Sequence, residues 1–328
     1  MDLRDAVQWV HANAAQFGGD PASITLMGHG YGAALVSLLM ASKFAQVSPG
    51  ETFLGVRNVI LMGGTAHAPW ATSPFFQFFS ERLLNRLNLS SIATDQSLMS
   101  RMRHLSVGRI LEAELAIPSL KYASRLGPVA SESGFFSNNV AVELAAREAG
   151  LNGANLLVGF GRHSGQHLIS ELYLNSGMDS AEFDRVLRTL VHQTFRYRQQ
   201  ILLDVLANHY SDAGVPRRGG SAQASLARRC VDLLTDALFA APSLRTAQLH
   251  ARTSGSATYA YVFGYASSVP QHQRWAGGVW TDDLAFVLGA PLLSNEQHPL
   301  APWSGSYLLE DRMLAEASMR YFGNFATS

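Results

Sequence analysis

Residues 24–32, Ile24-Thr25-Leu26-Met27-Gly28-His29-Gly30-Tyr31-Gly32, run from an apolar segment directly into three glycines at alternate positions. The apolar run predicts a strand, and the glycines predict a turn too tight for side chains. The next residues, Ala33-Ala34-Leu35-Val36-Ser37-Leu38-Leu39-Met40, are small and then apolar, as a helix must be to pack closely beneath a sheet. A strand that turns so sharply into a helix points to an α/β fold.

Two chemistries use such a turn. In the G-x-S-x-G nucleophile elbow, a serine is held at the strand-to-helix corner between glycines, because side chains at the flanks would clash. Here Gly28 and Gly32 supply the flanks and Gly30 stands at the centre. Glycine cannot form an alkoxide, so the route to an acyl-enzyme is closed at that position. The same residues, Gly28, Gly30 and Ala33, fit the G-x-G-x-x-G/A fingerprint of dinucleotide-binding oxidoreductases. That fingerprint asks for an acidic residue ending a second strand about 20 residues on. The chain instead has the loop Ser48-Pro49-Gly50-Glu51-Thr52, and its next apolar strand, Val56 to Met62, ends in Gly63-Gly64. The spacing favours the elbow over the dinucleotide site and over an ordinary glycine-rich turn, and predicts no cofactor.

The flanking segments carry a resemblance. Asp2-Leu3-Arg4-Asp5-Ala6-Val7-Gln8-Trp9-Val10, then Phe17-Gly18-Gly19-Asp20-Pro21, resemble the lead-in to the elbow in the type-B carboxylesterase/cholinesterase family. Ile60-Leu61-Met62-Gly63-Gly64-Thr65-Ala66 and Pro69-Trp70-Ala71 look like the segment that follows in neuroligins. Gly127-Pro128-Val129, Leu157-Val158-Gly159, Phe286-Val287-Leu288-Gly289 and Tyr321-Phe322-Gly323-Asn324-Phe325-Ala326 fall in family order, so the resemblance spans nearly the whole chain. It implies a single partial domain over residues 1–328 with an α/β-hydrolase fold that begins just before the elbow strand and lacks the family's N-terminal strands.

Carried over residue by residue, the resemblance places Gly30 at the nucleophile, Ser164 at the acid and Trp280 at the histidine of the triad. Serine supplies no fixed negative charge, and the indole N–H donates but cannot accept a proton. The elbow residues Gly28, His29, Gly30, Tyr31 and Gly32, followed by Ala33-Ala34-Leu35, look most like those of catalytically inactive invertebrate neuroligins. The implied function is a non-catalytic cell-adhesion or synaptic receptor ectodomain with a neurexin-like cell-surface partner. A carboxylesterase acting on esters is the alternative, with His29 and His163 as the imidazoles nearest the degenerate positions. The family's calcium-bridged contact with neurexin lies near the acid segment, where Arg162 and His163 offer no oxygen ligands. The helix matching Gln199 to His209 forms half of a dimer bundle in relatives, which implies a homodimer in the full-length protein.

The chain carries 25 basic and 25 acidic side chains, so no positive excess draws it to nucleic acid. Its 11 histidines show no metal-binding spacing, and its single cysteine, Cys230, reads as a core residue of an amphipathic helix. Asn88-Leu89-Ser90 is a candidate glycan acceptor. Neither a signal peptide nor a membrane span is visible; the resemblance places the full-length protein on the extracellular face of the plasma membrane. Helical spacing predicts helices from Ala181 to Tyr210, broken near Phe195-Arg196-Tyr197-Arg198, and from Ser221 to Ala251. Thr258 to Phe263 predicts a buried strand, and Gly214 to Gly220 a loop. Without the family's earlier strands the elbow strand would be an unpaired edge, so the isolated chain is expected to fold poorly.

Overall fold

Parallel strands β1 (Ile24–His29), β2 (Val56–Met62), β3 (Asn155–Gly161) and β4 (Thr258–Phe263) form one sheet in the order β1-β2-β3-β4. The computed structural model describes residues 2–45, 51–90, 95–129, 151–210, 222–253, 255–269, 275–293 and 305–327. The predicted loop at 214–220 lies outside the described residues. Within the sheet, Leu26 pairs with Val59, Ile60 with Leu157 and Val158 with Ala260.

Strand periodicity distributes the core to both faces. Val59, Leu61, Leu156 and Val158 pack on one side with Val7 of α1 (Asp2–Asn13) and with Val36, Leu39 and Met40 of α2 (Tyr31–Met40). Ile60, Met62 and Leu157 alternate with them and face the other way. Central parallel strands are buried on both faces, which explains their continuous apolar sequence.

Between β2 and β3 lie α3 (Phe76–Arg86), α4 (Asp95–Arg103) and α5 (Val107–Leu115); after β3 come α6 (Glu171–Ser176), α7 (Ser180–Thr194) and α8 (Gln199–Tyr210). The predicted break falls between α7 and α8, where Arg198 takes a left-handed φ of 54°. A long helical stretch follows as α9 (Ala222–Thr235), a π turn (Asp236–Ala240) and α10 (Ala241–Thr253). Cys230 is buried there, in a cluster with Leu187, Leu190 and Val231. The chain then adds β4, α11 (Asp282–Val287) and α12 (Leu309–Thr327), whose Phe322 and Phe325 pack on the second sheet face with Leu284 of α11.

The expectation that β4 is buried is corrected. Tyr259 and Val262 are each 56% exposed, because β4 has only β3 as a neighbour among the described residues. Among the described residues β1 is the opposite edge, with Met27 39% exposed.

Candidate functional site

The elbow forms where β1 meets α2. Gly30 adopts φ 55° and ψ −120°, a conformation that side chains disfavour. Its N–H donates to the Met62 carbonyl at 2.8 Å, and its own carbonyl accepts from Ala34 N at 3.1 Å. A Cβ on Gly28 would lie 2.5 Å from the Gly32 backbone, so the strand and helix can meet only at glycine. The second flank differs from the expectation of a clash: a Cβ on Gly32 would meet nothing within 4 Å. Gly32 lies exposed in the first turn of α2, whose next residues bear the packing.

Trp280, from the loop before α11, lies over Gly30. A Cβ on Gly30 would come within 2.9 Å of its Cζ2. The indole stacks against His167 (centroids 4.7 Å apart, planes at 25°) and lies tilted against His29 at 5.3 Å. Its Nε1 and the Nε2 of His29 are both buried without a hydrogen-bond partner among the described residues. The structure thus brings Gly30, His29 and Trp280 together.

Ser164 is buried on the short helix after β3, and its hydroxyl donates back to the Gly161 carbonyl at 2.8 Å. The imidazole that joins His29 around Trp280 is His167, one turn beyond Ser164. His163 instead has Nδ1 2.8 Å from the Gly277 carbonyl and its ring edge-on to Trp275. The glycine-rich segment after β3 pointed to this region, but the winding of residues 164–168 decided which histidine faces the elbow.

Asp283 lies behind the elbow, 3% exposed. Tyr261 Oη donates to it at 2.7 Å and Leu284 N at 3.0 Å, while His29 Nε2 stands 3.8 Å away. Burial raises the Asp283 carboxyl, against the pull of the Tyr261 hydrogen bond and His29. Burial lowers the His29 imidazole, against the pull of Asp283. Both groups are therefore pushed towards their neutral forms. Sequence reasoning assigned Asp283 no role, because its approach to β1 is a tertiary contact.

A cavity of about 170 Å³ opens above Gly30, lined in part by Tyr31, Trp70, Tyr122, His167, Phe239 and Trp280. Trp70 is fixed by its Nε1, which donates to the Leu238 carbonyl at 3.1 Å. Among the described residues no group of three or more His, Cys, Asp or Glu could hold a metal ion. Asn88 stands exposed at the end of α3, with φ 57°.

The sequence model of the carboxylesterase family matches residues 1–328. The chain is 28% identical over 342 residues to neuroligin-1 of Caenorhabditis elegans, covering 100% of this chain and 42% of that protein. It is 25% identical over 330 residues to human neuroligin-3, covering 99% and 36%, and 26% identical over 341 residues to human bile salt-activated lipase, covering 99% and 41%. The chain therefore spans less than half the length of each of these relatives.

Proposed function

The chain belongs to the carboxylesterase family, its sheet and covering helices forming a partial α/β-hydrolase fold, and we propose that it acts as a non-catalytic, neuroligin-like adhesion ectodomain. The observation that carries this reading is the position of Trp280. Residue 30 has no side chain to attack a carbonyl, and the indole fills the space a nucleophile would use. With Gly30, Ser164 and Trp280 in the triad positions, the elbow lacks the nucleophile, the orienting carboxylate and the proton acceptor of acyl transfer. The similarity to two neuroligins over nearly the whole chain supports adhesion.

On this reading the full-length protein stands on the extracellular face of a plasma membrane and binds a neurexin-like cell-surface protein. No described helix is long and apolar enough to cross a membrane. Ile201 and Val205, exposed on one face of α8, are suited to a homodimer contact, and Asn88 is an accessible glycan acceptor. The second reading, an ester hydrolase, is favoured by the lipase similarity at comparable identity.

Incubating the full-length protein with a fluorophosphonate serine-hydrolase probe, alongside nitrophenyl ester turnover, separates the two. We expect neither labelling nor turnover above buffer. Stoichiometric labelling would establish a serine nucleophile and return the protein to the hydrolases.

A further inference from the structure

The cavity above Gly30 is lined mainly by aromatic rings, with Lys121, the Tyr122 hydroxyl and His167 as its polar groups. Its volume of about 170 Å³ is close to that of an engineered apolar cavity of about 150 Å³ that takes benzene, so a single six-membered ring fits. Tyr31 and Trp70 meet edge to face at 4.8 Å, and Trp70 tilts against Phe239 at 6.0 Å, which leaves ring edges and faces for a flat guest.

Lys121 can only donate, and of the other two groups His167 offers the stronger acceptor, an imidazole nitrogen. Its Nδ1 lies 2.7 Å from the Ser164 carbonyl, which can only accept, so the Nδ1 proton makes that bond and Nε2 of the neutral ring carries a lone pair. Crowding by its neighbours lowers the imidazole from its ordinary value and favours that neutral form. The Ser164 bond is the only hydrogen bond the His167 side chain makes among the described residues, and residue 167 is exposed at the cavity wall. Lys121 also borders the cavity, which disfavours a cationic guest.

We propose that the elbow cavity binds a small monocyclic phenol, its ring lodged among Tyr31, Trp70, Phe239 and Trp280 and its hydroxyl donating to His167 Nε2. The proposal concerns ligand binding alone and stands apart from the adhesion reading.

Titration of the full chain with phenol and with toluene, a ring of similar size without the donor, followed by calorimetry and tryptophan fluorescence, tests it. Phenol is expected to bind at least about fivefold more tightly than toluene, the net effect of one hydrogen bond. His167→Phe, which keeps a ring against Trp280, abolishes the preference; His167→Gln, which keeps an acceptor, retains it. Equal affinity for the two probes, or binding of neither, overturns the proposal. A preference that survives in His167→Phe also overturns it, because the phenol would then sit elsewhere, such as the groove of about 620 Å³ lined by Tyr261 and Asp283.

Discussion

Gly30 and Trp280 constrain one another. With φ at 55° and an indole carbon 2.9 Å from the missing Cβ, residue 30 accepts a side chain only if the indole moves. Gly30→Ser should therefore lower stability by about 2 kcal/mol through backbone strain and overpacking, without creating esterase activity. In a Trp280→Ala background the same substitution should cost about 1 kcal/mol less, since only the strain remains. Equal costs in the two urea-unfolding series would separate the residues energetically. The neighbouring Thr281 carries φ 83° and makes no side-chain capping bond to α11, a conformation strained for a β-branched residue. Thr281→Gly should raise stability by about 1 kcal/mol, and a lower unfolding midpoint would refute that strain.

The helical stretch from 222 to 253 shows how one element serves the site. Pro242 lacks the N–H that would bond the carbonyl four residues earlier, which belongs to Leu238. That carbonyl accepts instead from Trp70 Nε1, and the π turn around it contributes Phe239 to the cavity. Trp70→Phe should cost about 1–2 kcal/mol by leaving a buried carbonyl unsatisfied. The penalty should shrink in a Pro242→Ala background, where a backbone N–H is restored; thermal melts of the four proteins measure it, and an unchanged penalty would detach Pro242 from the Trp70 contact. Helical spacing predicted this stretch as one helix and could not reveal its π turn, because the extra residue changes which atoms bond and not which residues are apolar. Thr258 to Phe263 was legible as a strand from its β-branched and aromatic residues, but its exposure depends on how many strands lie beside it.

Across the molecule, His29 and His250 have imidazoles lowered mainly by burial. His250 is fully buried, with Nε2 2.9 Å from the Ala154 carbonyl and Nδ1 2.6 Å from Thr258 Oγ1, so the carbonyl must accept from Nε2 and the hydroxyl must donate to Nδ1. The folded state keeps these rings neutral while the unfolded chain protonates near the ordinary histidine pKa of about 6.5. Their stabilisation is complete above that pH and is lost as pH falls through the lowered folded values. Asp283 acts in the opposite sense: its raised carboxyl favours the fold at low pH and loses that contribution as pH rises through its folded value. The unfolding midpoint should accordingly drop between pH 7 and pH 5, and His250→Gln should flatten that dependence by up to about 1.4 kcal/mol per pH unit. An equally steep profile in the variant would exclude His250 as a source. The sequence by itself determined the strand–turn–helix at 24–40, the β2 strand and the helices that cover the sheet, because glycine conformation and apolar periodicity act between near neighbours. Family resemblance brought Gly30 and Trp280 into one proposed site before any contact was visible. Only the tertiary structure decided that the indole fills the elbow, that His167 and not His163 faces it, that Gly32 is free of clash and that Asp283 lies behind His29, since these depend on distances between residues far apart in the chain and on the winding of single turns.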